Sequence, residues 1–319
     1  MDLGNSGRGV YLAVTSLANT ASTFYGLSQL YLGGTVILRN RFDPLDFLET
    51  IEREKVTNVS LVPVMGEKVL EVPDLSKYDL SSLEIFISYG APLHSQTRRK
   101  LTERVTHNLV ETYGMTETGP ITNLMPQDQL RKENCVGQPT MHTRIQIVDS
   151  EYHPLPVGQE GEITVRTPYL FLGYLNNPEE TAKVFRDGWF HTGDVGRMDE
   201  EGYLYIVGRQ KNMIISGGYN IYEEEVERAL AEHPSVKEVA VIGVPDAKWG
   251  EAVKAIVALN SGAQVGEEDI IEFCKKNLAG YKKPRSVDFV TALPRLSSGK
   301  VAKQQLREKY WAGWGKKIA

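Results

Sequence analysis

Hydrophobic positions between residues 35 and 112 follow two alternating patterns. Short apolar runs of the length of a buried strand occur at Thr35–Arg39, Asn58–Val62, Leu83–Ser88 and Asn108–Glu111. Segments with helical spacing separate them, namely Pro44–Glu54, which follows Asp43 as an N-cap, and the polar-faced Ser95–Val105. Strand–helix alternation of this kind predicts a parallel sheet with crossover helices, whose ligands bind beyond the carboxyl ends of the strands.

The pattern changes after residue 136. Residues 136–207 carry short alternating runs separated by Gly, Pro and Asp, which predict a small antiparallel barrel or meander. Beyond Gly208 we expect a compact α+β unit. The domain boundary is predicted at Gly208–Asn212, where glycine and polar residues interrupt both the strand and the helix periodicity of the hydrophobic positions. Its predicted elements are a helix opened by a box-like cap between Asn220 and Glu223, strands at Val236–Val244 and Ala252–Leu259, and a helix at Glu267–Asn277.

Composition narrows the class of protein. A chain of 319 residues has room for two domains, and 41% hydrophobic with 24% charged residues is typical of a soluble globular protein. The net charge of −5 disfavours non-specific binding to nucleic acid or anionic membranes. Cys135 and Cys274 lie far apart in no metal-binding spacing, which favours a reducing compartment. Without a membrane-length apolar stretch or a signal-peptide pattern, the sequence predicts a cytoplasmic protein.

Thr112–Pro120 (TYGMTETGP) places hydroxyls and one carboxylate in a glycine-bounded turn after a predicted strand. Hydroxyl and backbone N–H donors suit phosphate oxygens, and a single glutamate can hold Mg²⁺ when phosphates supply further oxygens. Tyr113 offers its ring face to a purine. The alternative is an ordinary surface turn rich in Thr and Gly.

Three further positions carry candidate chemistry. Asp194, in HTGD between predicted strands, suits the hydroxyls of a ribose, although an Asp turn fits as well. Arg209 suits the same ribose or a phosphate, or is a solvated arginine. The paired glycines of Ser216–Asn220 (SGGYN) let the backbone approach a ligand closely, or form a simple loop.

Lys300 follows Ser297, Ser298 and Gly299 in a predicted flexible turn near the C-terminus. Its ammonium group suits negative charge that develops on a carboxylate and a phosphate, but taken alone it is more readily explained as one exposed lysine among several. The six histidines show no metal-binding spacing, and there is no G-x-S-x-G, Walker loop or H-E-x-x-H motif.

In this order the segments resemble those of the adenylate-forming superfamily of acyl-CoA synthetases, adenylation domains and beetle luciferases. The resemblance runs from about Val10 to Lys303 and includes FLGYLNNPEETAKVFRDGWFHTGD, which ends at Asp194 and matches almost residue for residue. It implies an α/β fold: the C-terminal part of a large parallel-sheet domain plus a small β-barrel subdomain, followed by a compact α+β C-terminal domain. The implied bounds are 1–207 for the partial AMP-binding domain (α/β in 35–135, barrel-like in 136–207), 208–212 for the hinge and 213–319 for the lid domain.

The resemblance also implies residue roles. For the nucleotide, Gly90, Ala91, Pro92, Thr112 and Tyr113 hold the adenine, Thr116 binds the α-phosphate, Glu117 holds Mg²⁺, and Asp194 and Arg209 bind the ribose. For the reaction, Lys300 stabilises the acid carboxylate and the α-phosphate, Lys211 is the hinge, Gly217, Gly218 and Tyr219 contact CoA, and Asn19, Gly114 and Met115 line the acyl pocket. The implied co-substrates are ATP and CoA.

Two departures from the family pattern stand out. Family members carry a Ser/Thr/Gly-rich loop ending in Pro-Lys-Gly that wraps the β- and γ-phosphates, and its place would lie just upstream of Val10. Gly4–Gly9 (GNSGRG) does not match it, so we expect an N-terminally truncated form that binds ATP no better than AMP and forms adenylate very slowly by itself. Second, Ala18 and Asn19 stand where the family often has Phe-His, which leaves the acid undefined.

Three functional hypotheses remain. The favoured one is a carboxylic acid–CoA ligase that forms acyl-AMP from the acid and Mg-ATP and then transfers the acyl group to CoA. An adenylation domain that loads a separate carrier protein is the second, and a non-catalytic nucleotide-binding fragment is the third. The expected partners are small molecules, with no nucleic acid and no integral membrane segment, and a homodimer is left open.

Overall fold

The computed structural model describes residues 9–296, 300–312 and 314. The chain divides into two compact units. Unit 1 comprises the residues up to Thr192 together with Arg197–Tyr205, and unit 2 comprises Gly193–Gly196 and everything from Ile206 onward. Within the described part, no helix is long and apolar enough to cross a membrane. Both cysteines are buried free thiols.

Unit 1 is built on a seven-stranded sheet with the strand order β2-β1-β3-β4-β5-β6-β7. Its strands are β1 (Val10–Ala13), β2 (Thr35–Leu38), β3 (Asn58–Leu61), β4 (Ile85–Tyr89), β5 (Leu109–Met115), β6 (Gly119–Leu124) and β7 (Gln138–Pro139). Its helices are α1 (Thr20–Tyr31), α2 (Pro44–Glu54), α3 (Pro63–Leu70) and α4 (Ser95–Arg104). Strands β1 to β5 are mutually parallel, which confirms the predicted α/β class, and β6 and β7 add antiparallel partners.

Local sequence signals fix α2. The Asp43 side chain accepts hydrogen bonds from the backbone N–H groups of Leu45 and Asp46, both at 3.0 Å, so the predicted cap is confirmed. Leu48 and Ile51 then lie in the core beneath the sheet. The predicted burial of the Thr35–Arg39 strand is wrong, however, because β2 is the edge strand and its outer residues are exposed.

Helix α1 presents an unusual face to the sheet. Its buried residues are polar or small, namely Ser22, Gly26 and Gln29. Gln29 is satisfied there, since its Nε2 donates to the Gly9 carbonyl at 2.9 Å and its Oε1 accepts from Asn58 Nδ2 at 2.7 Å. The outward face carries large apolar side chains instead: Phe24, Leu27, Leu30 and Tyr31.

A second, half-barrel sheet follows in the order β10-β11-β9-β8, with β12 paired to β11. Its elements are β8 (Arg144–Val148), β9 (Gly161–Arg166), the short helix α5 (Pro178–Val184), β10 (Phe185–Arg186), β11 (Trp189–Met198) and β12 (Leu204–Arg209). The pairs β8/β9 and β10/β11 are antiparallel. The predicted antiparallel subdomain is therefore confirmed, and the division between the two units passes through β11 and β12.

Unit 2 contains the predicted α+β fold. Its elements beyond β12 are β13 (Met213–Ser216), β14 (Tyr219–Tyr222), α6 (Glu223–Ala231), β15 (Val236–Asp246), β16 (Gly250–Leu259), α7 (Glu267–Asn277), β17 (Ser286–Val290) and α8 (Lys303–Trp311). The sheet order is β14-β13-β16-β15, with β17 parallel to β16. Buried side chains of α6 and α7, such as Val226, Leu230 and Ile270, pack with the sheet in one core.

The predicted box-like cap at Asn220 is wrong. Asn220 lies in β14, where it is paired with Ile215 of β13, and α6 begins at Glu223 after Tyr222 without a side-chain cap. Backbone pairing in the β13–β14 hairpin thus prevails over the local capping signal. The hinge predicted at 208–212 stays a prediction, and Lys211 lies there in a single 3₁₀ turn, Gln210–Asn212.

Candidate active site

The TYGMTETGP segment is mostly strand, not turn. Thr112–Met115 form the end of β5, and the chain returns as β6 after a tight turn. Thr112 is buried and its hydroxyl donates to Asn123 Oδ1 of β6 at 2.9 Å. Since side chains alternate along a strand, Tyr113 faces the other side of the sheet, where it is partly exposed.

The hairpin requires glycine at position 114. The pairing of β5 with β6 shifts by one residue between Tyr113 and Gly114. A side chain at Gly114 would place its Cβ 2.3 Å from the Gly119 carbonyl oxygen, far inside contact distance. The predicted acyl-pocket residues Gly114 and Met115 therefore lie where two backbones approach closely, just before the turn.

The turn presents Thr116 and Glu117. The Thr116 hydroxyl oxygen accepts a hydrogen bond from the Thr20 hydroxyl at 3.3 Å, across 96 residues of sequence. Glu117 Oε1 accepts from the Tyr174 hydroxyl at 3.1 Å, and the Glu117 carbonyl accepts from the Phe171 N–H at 2.8 Å. Partial burial and this carboxylate raise the pKa of Tyr174 above its ordinary value. The two predicted polar groups are thus fixed in position at the tip of the hairpin.

Asn19 caps helix α1 and lies beside this turn. Its Oδ1 accepts from the Ala21 N–H at 3.0 Å, so its side chain sets the start of the helix. The next residue, Thr20, is the one that contacts Thr116. The structure therefore brings the predicted acyl-pocket position Asn19 close to the predicted phosphate-binding position.

A cluster of hydroxyl groups under α1 was missed by sequence reasoning. The Tyr89 hydroxyl, at the end of β4, is 3.1 Å from the Thr15 hydroxyl and 3.3 Å from that of Ser22. Tyr25 of α1 is hydrogen-bonded to Thr112, and burial raises its pKa to about 12. These contacts join helix α1 to the ends of β1, β4 and β5, and no local pattern signals them.

Gly90, Ala91 and Pro92 follow β4 directly and are exposed. The strands β1, β4 and β5 belong to the parallel part of the sheet, so the segments after them meet at its carboxyl edge. Unit 1 thereby collects Asn19, Gly90–Pro92 and Thr112–Glu117 at the edge where open α/β sheets bind ligands.

Unit 2 contains the other candidate residues. Asp194 lies inside the long strand β11, so the expectation that it sits between strands is wrong. Its carboxylate is almost fully buried, with 3% of the side chain exposed, and Oδ1 accepts from Arg209 Nε at 2.7 Å. Arg209, at the end of β12, has a side chain that is 44% exposed. The predicted ribose residues therefore form one ion pair.

Lys300 is within electrostatic range of that pair. Partial burial lowers the pKa of Lys300, the positive charges of Arg209 and Lys211 lower it further, and Asp194 acts in the opposite direction. Its carbonyl accepts from the Leu296 N–H at 2.8 Å. Ser297, Ser298 and Gly299, predicted to form a flexible turn, lie outside the described residues.

The SGGYN segment is a tight hairpin between β13 and β14. Gly217 and Gly218 occupy its two central positions with φ of +59° and +85°, which suits a two-residue turn of the primed type. A Cβ at Gly217 would lie 2.5 Å from Trp249 Cε3, so the indole packs directly on the glycine. Tyr219 is exposed and stacks on Tyr281 with ring centroids 4.5 Å apart. The predicted CoA-contact residues form one accessible patch.

Unit 1 thus gathers hydroxyls and a glutamate at the carboxyl edge of a parallel sheet, and unit 2 contains a buried carboxylate paired with an arginine. Comparison with known proteins identifies the family. Residues 2–175 match the model of the AMP-binding enzyme family, and residues 225–300 match that of the AMP-binding enzyme C-terminal domain. The chain belongs to the AMP-binding enzyme family.

Similar proteins differ in their reactions. Feruloyl-CoA synthase of Amycolatopsis sp. is 41% identical over 285 residues, covering 89% of this chain and 58% of the relative. Long-chain-fatty-acid–CoA ligase of Bacillus subtilis is 41% identical over 290 residues, covering 89% and 52%. The solved structure of the amide bond synthetase McbA from Marinactinospora thermotolerans superposes with a TM-score of 0.92 at 37% identity, covering 97% of this chain and 63% of that one. The chain thus spans little more than half the length of the curated relatives it matches.

Proposed function

We propose that the chain carries acid-activating machinery of an ATP-dependent acid–thiol ligase, an acyl-CoA synthetase. In the first step a carboxylate oxygen bonds to the α-phosphorus of ATP and the bond to pyrophosphate breaks. In the second, the CoA thiol loses its proton, its sulfur bonds to the acyl carbon, and AMP leaves. The observation that carries the proposal is the grouping of Asp194, Arg209 and Lys300 in one unit. There the buried carboxylate of Asp194 pairs with Arg209, and the charges of both residues act on Lys300.

Each residue has a role suited to its surroundings. Asp194 accepts hydrogen bonds from the ribose hydroxyls, with Arg209 compensating the charge of its buried carboxylate. Lys300 binds the acid carboxylate and the α-phosphate, where negative charge concentrates in the transition state. Partial burial and the neighbouring charge of Arg209 disfavour the charged form of Lys300, and a phosphate bound beside it would offset that effect.

The residues of the carboxyl edge suit the rest of the nucleotide. Gly90–Pro92 offer exposed backbone and Tyr113 a partly exposed ring for the adenine, while the Thr116 hydroxyl suits the α-phosphate. Tyr174 donates its hydrogen bond to Glu117 Oε1, and among the described residues no hydrogen bond reaches Oε2. One carboxylate oxygen thus fits Mg²⁺, which when bound would neutralise phosphate charge.

The acid and the acceptor are less closely defined. Relatives named for an aromatic acid and for long-chain fatty acids are equally similar to this chain, so we assign only a carboxylic acid. We assign CoA as the acceptor because Gly217, Gly218 and Tyr219 are exposed, and the Cβ position of Gly218 has no neighbour within 4 Å. Similarity to an amide bond synthetase supports a second candidate, transfer of the acyl group to an amine. A cytoplasmic location accords with the composition.

The test separates the half-reactions. Single-turnover adenylation is followed with labelled ATP over a panel that includes ferulate and palmitate, and thioester formation is followed from synthetic acyl-AMP with CoA or with amines. We expect Lys300→Ala to abolish adenylation and to spare thioester formation. Equal loss of both half-reactions would show that Lys300 is structural, and no acyl-AMP with any acid and no acyl transfer from supplied acyl-AMP would remove the proposal.

A further inference from the structure

A buried ion cluster in unit 2 fastens helix α8 to helix α6. Lys303 Nζ lies 3.0 Å from Glu223 Oε2 and 2.7 Å from Glu227 Oε1, and Arg307 Nη2 lies 2.7 Å from Glu223 Oε1. Glu223 is 1% exposed, and Glu227 also accepts from the Val241 N–H at 2.7 Å. None of these residues has a role in the chemistry described above. Burying such a cluster costs desolvation free energy, which only well-aligned ion pairs offset.

The cluster lies at the foot of the segment that bears Lys300. Val301 forms an isolated bridge with Arg295, and the Ala302 N–H donates to the Pro294 carbonyl at 2.8 Å. Lys303 is the first residue of α8 and follows this bridge immediately. The backbone between Lys300 and Lys303 is therefore fixed by the contacts of Val301 and Ala302, and the ion cluster fixes the Lys303 side chain that follows.

The two lysines, three residues apart, have opposite electrostatic surroundings. Burial by itself would lower the pKa of Lys303, but the charges of Glu227 and Glu223 outweigh it and raise that pKa above its ordinary value. Partial burial and Arg209 instead lower the pKa of Lys300. One lysine is a permanent cation held by two carboxylates, and the other has no paired carboxylate among the described residues.

We propose that Lys303 is a positioning residue for adenylate formation: its contacts with Glu227 and Glu223 on α6 hold the Lys300 ammonium group at the reacting phosphate. The proposal rests on the function assigned to Lys300 above. A displacement of about 1 Å at a reacting centre costs on the order of 100-fold in rate, so a clamp three residues away is close enough to matter.

The experiment compares Lys303→Met, Lys303→Arg and a matched control, Lys275→Met, in the full chain. Lys275 pairs with Glu272 on the exposed face of α7, so the control removes a lysine ion pair from the same unit at an unrelated place. The two half-reactions are measured with the acid of the panel that gives the most acyl-AMP. The amine reactivity of Lys300 is measured by trace labelling with acetic anhydride over a pH series, read by peptide mass spectrometry.

We expect Lys303→Met to slow adenylation by about 10- to 100-fold while thioester formation from acyl-AMP changes by less than about 3-fold. The labelling midpoint of Lys300 should rise, because the displaced amine loses its partial burial and leaves the field of Arg209. Lys303→Arg should restore most of the rate, and Lys275→Met should match the wild type.

Three results overturn the proposal: an unchanged adenylation rate in Lys303→Met, equal losses in both half-reactions, or an unchanged Lys300 labelling profile. Circular dichroism shows whether Lys303→Met is folded. If it is not, Lys303→Arg is compared with the wild type in the same assays, and the same three results overturn the proposal. Failure of the function itself is distinguishable, because the wild type would then form no acyl-AMP with any acid of the panel and transfer no acyl group from supplied acyl-AMP.

Discussion

Removing the Asp194 carboxylate should weaken AMP binding, and the structure sets the size of the effect. Asp194→Ala deletes an acceptor that is 3% exposed, while its partner Arg209 is 44% exposed and can be solvated again at little cost. The loss is therefore mainly that of the hydrogen bonds to the ribose, about 1–3 kcal/mol in total. Since about 1.4 kcal/mol corresponds to a factor of ten, Kd should rise about 5- to 150-fold.

Isothermal titration calorimetry with AMP and with 2′,3′-dideoxy-AMP isolates the contact. The wild type should bind AMP more tightly than the dideoxy nucleotide, and Asp194→Ala should bind both equally. Removing the carboxylate and removing the ribose hydroxyls are the two sides of a double-mutant cycle, which isolates the contact between them. Asp288→Asn, which disrupts the Lys254 ion pair elsewhere in unit 2, is the control and should leave both affinities unchanged. Equal AMP affinity in the wild type and in Asp194→Ala, or a surviving preference for AMP, would refute the ribose assignment.

Three further predictions concern the hinge, the hairpin and the core. Lys211→Pro, which fixes φ, should spare adenylation and block thioester formation in the half-reaction assays if it locks the adenylating arrangement, and loss of adenylation would contradict the hinge role. Gly217→Ala should lower the free energy of unfolding in urea by about 1–3 kcal/mol more than Gly218→Ala, because both have positive φ but only position 217 meets an indole; equal losses would argue against that contact. Arg98→Met should cost about 3–5 kcal/mol, since it removes the arginine that compensates the charge of the buried Glu111 carboxylate. Arg98→Met/Glu111→Gln should recover part of that cost in the same denaturation assay; no recovery would place the cost elsewhere.

Elements defined by nearby residues could be predicted, and those defined by distant ones could not. Helix α2 begins where Asp43 caps it, and α7 has the bounds that its period predicts. The sequence predicts Asp194 between strands, yet β11 pairs with neighbouring strands and continues through it.

The same holds within the candidate site. Motif spacing gave the residues of the hairpin tip, but the contact of Thr20 with Thr116 spans 96 residues and that of Lys303 with Glu223 spans 80. Tertiary packing, with no sequence signal of its own, creates such contacts. The predicted roles of the site residues stay predictions until ligands are bound.

The register of the β5–β6 hairpin constrains how this part of the gene can vary in length. Glu111, Thr112 and Tyr113 oppose Leu124, Asn123 and Thr122 in turn, so every side chain has an assigned face. Deleting a single codon within β5 would turn Thr112 outward and bring a neighbour into the space beside Asn123, because strand side chains alternate with period two. Away from Gly114, a substitution therefore changes one side chain, whereas an insertion or deletion changes the face of every later residue in the strand. Insertions and deletions should be selected against along the whole segment and accumulate instead in surface connections such as that around Gly158, whose Cβ position is open.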